Sequence, residues 1–456
     1  MTFAELQQLL FRRSNFGMKL GLERMRDALS LLGDPHRAAP VLHVAGTNGK
    51  GSTCAFVEAA LRAAGLRTGL YTSPHLVHFC ERFRICGEPI AEERAAGLLE
   101  QILARVPWAL RDDGLTFFEL ATLMGFVAFA QSEVQVAVVE VGLGGRLDAT
   151  NVVEPLACGV APLGLEHTQW LGPTLAHVAS EKAGIFKRGA PAVSAGQPRE
   201  AARVLQERAE GLGIPLWRPG RDYVYESRDV RPFCYQGPEG FRVSLAGAGE
   251  GVVGATGDTA DIAGGSGLSL LGHHQRGNAA LACALLQTAA SRGLPVGPEH
   301  VREGLRTACW PGRLEPIGRR PLVLLDGAHN PHAARALVRA LREVVGALPV
   351  QLLFAAMADK EHAGMLRELL PLAAGVHFCA LQTPRGADPA VLAEAARQLG
   401  LGKSHVHAGA AEALAGARAA AGERGAVLCC GSLYLVGELS AAIRGGSPAR
   451  MPSERL

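Results

Sequence analysis

Two rhythms of apolar and polar positions run along the chain, and the switches between them set the expected elements. Short unbroken apolar runs bounded by glycine or polar residues read as buried strands, and apolar residues recurring every three or four positions read as helices. Helices are expected over 4–13, 20–32, 54–64, 91–106, 116–130 and 174–184, with strands over 41–45, 68–72, 135–141, 155–160 and 191–194. Strand, helix and strand at these spacings make parallel βαβ units. From 222 to 271 the runs shorten, alternate and break at glycine, so a β-rich excursion is expected there, with 247–267 the least patterned part. Helices follow at 276–291 and 300–307. Trp310-Pro311-Gly312-Arg313 then breaks the pattern, and a second βα register begins, with strands at 322–325, 350–354, 376–379 and 426–430.

The expected fold is α/β in two parts. Residues 1–310 form a large N-terminal parallel-sheet ATPase domain of phosphate-loop type carrying the β-rich excursion, and residues 311–456 a smaller, Rossmann-like parallel α/β domain. A length of 456 residues supports this, since one core rarely serves so many. No internal repeat of fixed period is visible.

Composition removes several functional classes. At 48% hydrophobic and 20% charged, the chain has an ordinary globular makeup. A net charge of +3 without a dense Lys/Arg run argues against nucleic acid as a partner. No apolar run reaches transmembrane length, and the N-terminus reads as an amphipathic helix rather than a secretion signal. Ten cysteines without C-x-x-C spacing read as small buried residues in a reducing compartment, so a cytoplasmic location is expected.

The candidate chemistry starts at Val41 to Thr53, VLHVAGTNGKGST. An apolar strand, a glycine loop ending in Lys50 and a helix form the setting in which backbone N–H groups cradle phosphate. Lys50 would add a mobile charge, and Ser52 or Thr53 a hydroxyl for Mg²⁺. The strict phosphate-loop pattern is not met, because Val44 holds the place of its first glycine and Gly51 separates Lys50 from Ser52. Glu140 ends an apolar strand, where a carboxylate needs a cation: a metal beside the phosphates, or Arg146. Ser73 and His167 also follow strands. Lys50, Ser52, Ser73, Glu140, His167 and Lys182 are together expected on strand-end loops of one sheet, a nucleotide site with ligands suited to Mg²⁺. Bland readings stand beside these: His167 as a hydrogen-bonded loop residue, Lys182 as part of a solvated helix face beside Glu181, His273 and His274 as loop residues, and Asp326 with His329 and Asn330 as a cap for a helix beginning at Pro331.

The segments HVAGTNGKGSTC, YTSPHL, TFFE, VEVGLGGRLDATN, LEHTQWLGPT, EKAGIFK, HHQRGNAA, PGRLE, LDGAHNP and GSLY resemble the folylpolyglutamate synthase and dihydrofolate synthase family of the Mur ligase superfamily. The resemblance runs from about Leu20 to Glu438. Val44 and Gly51 are normal in that superfamily, while Ala161 to Glu166 departs from its usual Thr-Ser-Ile and Asp. The resemblance implies that Thr47, Asn48, Gly49 and Lys50, with Gly51 and Ser52, hold ATP phosphates, and that Asn278, Arg313 and Asp326 contact the nucleotide. It further implies Mg²⁺ ligation by Ser73, Glu140 and His167, and an N-carboxylated (carbamate) Lys182. Lys50, His167 and Lys182 would then act in the chemistry. Lys19, Leu20, Gly21, Thr116, Phe117, Phe118, Glu119, Leu147, Asp148 and Ala149 match the family's pterin-side pocket. Arg385, at a strand end of the second part, is expected to hold the incoming glutamate.

The implied activity is ATP-dependent addition of L-glutamate to dihydropteroate and to folates through an acyl phosphate, by a monomer. Alternatives remain a chain-extending enzyme without the dihydropteroate step, a cell-wall peptide ligase, and a slow nucleotide switch. A dinucleotide oxidoreductase lacks its G-x-G-x-x-G and leaves Lys50 unexplained.

Overall fold

The computed structural model describes residues 1–14, 19, 21–227, 231–245 and 266–443. The first sheet has eight strands: β1 (Val41–Ala45), β2 (Thr68–Tyr71), β3 (Phe83–Ile85), β4 (Glu88–Pro89), β5 (Val136–Glu140), β6 (Ala157–Val160), β7 (Ala192–Ser194) and β8 (Leu216–Trp217). Their order is β4-β3-β2-β5-β1-β6-β7-β8, parallel except for the antiparallel edge made by β3 and β4. Every residue of β1 and β5 is buried, as expected of apolar strands covered on both faces. Helix Lys50–Ala63 lies so close to helix Pro298–Thr307 that a Cβ on Gly304 would come within 2.3 Å of the Ala60 nitrogen. Helix His274–Ala290, rich in alanine, is buried along most of its length, and its small side chains permit close packing.

The β-rich excursion contains an antiparallel sheet of β9 (Val224–Tyr225), β10 (Cys234–Gln236) and β11 (Arg242–Ser244). Most of the expected weak stretch 247–267 lies outside the described residues. The third sheet comprises β12 (Glu315–Arg319), β13 (Leu322–Leu325), β14 (Val350–Phe354), β15 (Ala373–Cys379), β16 (His405–His407) and β17 (Ala426–Cys430), in the order β12-β13-β17-β14-β15-β16.

Several expectations need correction. The second domain's sheet is mixed, because β12 pairs antiparallel with β13. The helix after the phosphate loop begins at Lys50 rather than residue 54, since Gly49, at φ +84°, turns the chain directly into it. The helix expected from residue 20 starts at Glu23. Helix Arg199–Leu212 and the strands β3, β4, β8, β12 and β16 were not anticipated. His273 caps helix His274–Ala290, so this histidine pair opens a helix instead of lying in a loop.

The two α/β parts share apolar contacts. Leu76, from the loop after β2, packs with Val323, Leu325, Leu435 and Val436, and Leu271 joins the core around Leu324 and Leu337.

Candidate functional site

The C-terminal ends of β1, β5 and β6 open into a cleft of about 420 Å³ that the second domain closes from the other side. Thr47, Asn48, Gly49, Lys50, Gly51 and Ser52 line it, together with Ser73, Glu140, His167, Asn278, Arg313, Asp326 and Arg385. So do Lys19, Gly21, Thr116, Phe117, Phe118, Glu119, Leu147, Asp148 and Ala149. Leu20 lies outside the described residues. Lys182 is a correction: it stands in helix Leu175–Ala183, not on a strand-end loop, and its neighbour Glu181 reaches the cleft while Lys182 does not.

The phosphate loop is braced from beneath. The Thr47 and Asn48 amides donate to the Pro162 carbonyl at 3.1 and 3.2 Å, and Thr47 Oγ1 donates to Gly164 O at 3.1 Å. The N–H groups of the first turn of helix Lys50–Ala63 are left without helical acceptors at the loop, the arrangement that attracts phosphate. Gly51 has a steric explanation. A Cβ there would meet the Trp310 indole at 2.7 Å, so the unusual glycine admits the linker tryptophan against the loop. Gly51→Ala is accordingly expected to destabilise the fold by about 1–3 kcal/mol and weaken nucleotide binding, read by thermal unfolding and calorimetric titration.

Glu140 pairs in register with Val44, which sets its carboxylate level with the start of the loop. Oε2 accepts from the Ser73 amide at 3.2 Å, and Oε1 lies 4.0 Å from Lys50 Nζ. Burial pushes its carboxyl upward, opposed by Lys50 and the Ser73 amide. Arg146 is not its partner; that guanidinium pairs with Glu181 at 2.9 Å. His167, at φ +51°, opens the short helix Thr168–Leu171, and burial lowers its pKa to about 4, leaving a neutral imidazole at pH 7. Lys182 is only 4% exposed, and burial, then Lys50, lower its amine to about 7.

Among the described residues no three His, Cys, Asp or Glu side chains cluster as a metal site. The carboxylate of Glu140, the neutral imidazole of His167 and the hydroxyl of Ser73 still fit Mg²⁺, which commonly takes few protein ligands and keeps water and phosphate in its remaining positions.

Elsewhere in the cleft, Thr116 and Glu119 form a capping box on helix Phe117–Gln131, and Glu119 also binds Arg24 at 2.9 Å. Asp148 accepts from the Leu143 amide at 2.8 Å and the Thr150 amide at 3.0 Å, which fixes the glycine-rich turn. Asp326 accepts the Leu314 and Ala328 amides at 2.9 and 2.8 Å and faces Arg313. Asn330 does cap helix Pro331–Val345, accepting from the Ala333 amide at 2.7 Å.

Sequence reasoning missed His75, Arg82, His332 and Lys360, all of which line the cleft. Arg82 is 1% exposed, with Nε donating to His75 Nδ1 at 2.9 Å and its guanidinium over the Phe117 ring at 5.1 Å. Asp359 and Lys360 follow β14 as Glu140 ends β5, so the strand-end rule applied to the second domain would have found them.

A nucleotide-type loop on a parallel sheet is closed over by a second α/β domain, and residues 312–433 match the family described as Mur ligase, glutamate ligase domain. The chain is 35% identical to dihydrofolate synthase/folylpolyglutamate synthase of Bacillus subtilis, covering 84% of this chain and 86% of that one. It is likewise 35% identical to the Escherichia coli protein of the same description, covering 93% and 91%. The solved structure of E. coli FolC in complex with DHPP and ADP superimposes with a TM-score of 0.84 at 32% identity, covering 98% of each chain. The chain therefore belongs to the folylpolyglutamate synthase/dihydrofolate synthase family. It spans about half the length of two haloarchaeal relatives described as probable bifunctional folylpolyglutamate synthase/dihydropteroate synthase, from Halobacterium salinarum (36% identical, 51% of that protein) and Haloferax volcanii (38% identical, 50%).

Proposed function

We propose that the chain joins L-glutamate to dihydropteroate, forming dihydrofolate, and extends the γ-glutamyl tail of folates, at the expense of ATP. The observation that carries this reading is the single cleft in which the phosphate loop, the TFFE and LDA segments and the second domain's Arg385 and Asp326 all meet. The proposed division falls between residues 310 and 311, and the protein is read as a cytoplasmic monomer acting on small molecules. No helix among the described residues is long and apolar enough to cross a membrane.

A carboxylate resists amine attack at neutral pH, so the acceptor's carboxylate first takes the γ-phosphoryl group of ATP. Lys50 and the helix N-terminus hold the phosphates, and Asn278, Arg313 and Asp326 orient the nucleotide. Ser73, Glu140 and His167 would hold Mg²⁺, which when bound supplies charge neutralisation at the phosphate oxygens. The glutamate amine then attacks the acyl phosphate, and the amide forms as phosphate leaves. Two domains closing over one cleft keep water from the acyl phosphate. Lys182 is read as a carbamate that adds an anionic group behind this site.

ADP formation measured with dihydropteroate, tetrahydrofolate or no acceptor, with and without glutamate, tests the whole reading. Dependence on both a pterin acid and glutamate is expected, and phosphate release indifferent to both would sink it. Arg385 lines the cleft and pairs with Asp359 at 3.4 Å. Arg385→Ala is expected to raise the glutamate KM by about 10–100-fold, the worth of a hydrogen bond to a charged group, while the ATP KM stays constant. An unchanged glutamate KM would reassign that arginine.

A further inference from the structure

Glu166, on the loop after β6, has no part in the chemistry above, yet one of its oxygens meets three groups. Oε1 lies 3.2 Å from His329 Nε2, 3.8 Å from His167 Nε2 and 3.9 Å from Lys360 Nζ. Two of these come from the other domain: His329 follows β13, and Lys360 follows β14. The Glu166 side chain is only 13% exposed, and a carboxylate so withdrawn from water is tolerable only when donors replace the water. Here the replacement comes mostly from across the interface. His329 Nδ1 lies 2.8 Å from the Gly327 carbonyl, so the ring is held in place between that carbonyl and the Glu166 carboxylate.

A neutral set of contacts runs beside it. Asn48, in the phosphate loop, meets His332 Nδ1 at 2.8 Å through Nδ2, and its Oδ1 accepts from Asn330 Nδ2 at 3.3 Å. The turn 326–332 of the second domain is thus fastened to the first domain at two points, a charged one at Glu166 and a neutral one at Asn48. The charged one has the larger electrostatic leverage. It is also the one that opening the cleft would leave most exposed to loss, since of the three groups described at Glu166 Oε1 only His167 belongs to its own domain.

We propose that Glu166 is an interdomain latch, a positioning residue that draws His329 and Lys360 of the second domain over the phosphate loop when the cleft closes. The latch rests on the ligase reading and deepens it, by naming what holds the closed state during acyl phosphate formation.

The test uses the full chain and the variants Glu166→Gln, Glu166→Asp, Lys360→Met and Glu166→Gln/Lys360→Met. Measured are kcat, the glutamate KM, ADP binding by calorimetry, and amide hydrogen exchange over 326–334. Glu166→Gln and Lys360→Met are each expected to lower kcat by about 10–100-fold, as losing a positioning partner does. The double variant is expected to be no worse than the weaker single one, because both single changes remove the same Glu166–Lys360 contact. Glu166→Asp should fall between Glu166→Gln and the parent. ADP affinity should hold within about twofold, and exchange over 326–334 should speed up, which a defect confined to the first domain would not cause. Losses that multiply in the double variant, or parental exchange in Glu166→Gln, overturn the latch. If Glu166→Gln folds poorly by circular dichroism, Lys360→Met, altered at a more exposed side chain, carries the exchange comparison. If the parent forms no ADP in response to glutamate with any pterin acid, the ligase reading fails, and the exchange data alone decide the latch.

Discussion

Lys182→Ala is expected to cut glutamate-dependent ADP formation by about 10²–10³-fold, the cost of removing one preorganised electrostatic group from a closed site. Helix Leu175–Ala183 buries Val178, Ala179, Lys182 and Ala183 on one face, so the lysine is held inward by helical geometry. Gly145 lets the glycine-rich turn press onto this helix; a Cβ there would come within 2.8 Å of the Glu181 carbonyl and 3.1 Å of the Lys182 Cα. Glu181 is occupied by Arg146, which leaves the Lys182 amine to feel burial first, then Lys50, against Glu166, Asp148 and Glu181. An amine lowered to about 7 is about half unprotonated at neutral pH, and that fraction can attack dissolved CO₂, forming an N–C bond and releasing one proton. The product carbamate replaces a cation that Lys50 repels with an anion that Lys50 attracts. Unchanged turnover in Lys182→Ala would remove the carbamate reading. In the active protein, a carbamate resonance from ¹³C-bicarbonate should appear and be lost in the variant.

The sign of the accompanying stability effect follows from the same shift. Between about 7 and the ordinary lysine value the unfolded chain holds a proton that the folded carbamate-free chain lacks, so stability gains with rising pH across that window. Below it, the buried cation bears its full desolvation cost.

The strands that carry the site were legible because a fully buried parallel strand is a short apolar run, and β1, β5, β13, β14 and β17 are such runs. The outlying strands β3 and β16 were not, since Phe-Arg-Ile and His-Val-His mix polar and apolar residues without a usable period. Helix Arg199–Leu212 was available in the pattern: Ala201, Leu205 and Ala209 recur every four residues and are all buried. The same spacing rule places Lys182 four residues after buried Val178, a signal that outweighs the charged appearance of Glu181-Lys182. What local pattern cannot carry is the meeting of Glu166 with His329 and Lys360, because it depends on how two separately folded sheets face each other.

Glu140→Gln is expected to lower ADP formation by about 10²–10³-fold while leaving the ligand-free protein as stable as before or more so. The carboxylate ends a strand of buried apolar residues, and burial raises its pKa despite Lys50 and the Ser73 amide. A carboxyl raised in the folded state binds a proton that the unfolded chain has already released, so stability falls as pH rises from the ordinary glutamate range through the folded value, and above that value the ionised side chain is a net cost. Glutamine keeps an oxygen for the Ser73 amide but carries no charge, which removes that cost and with it the anionic oxygen that would face Mg²⁺. Lys50 loses a neighbour at 4.0 Å but keeps the Thr47 carbonyl at 3.3 Å and some access to water, so little is forfeited there. Loss of turnover together with a level or raised melting temperature is the signature of a site that holds a poorly solvated charge for function. A melting temperature that drops sharply in Glu140→Gln, with turnover retained, would instead make Glu140 a structural partner of Lys50 and move the metal elsewhere.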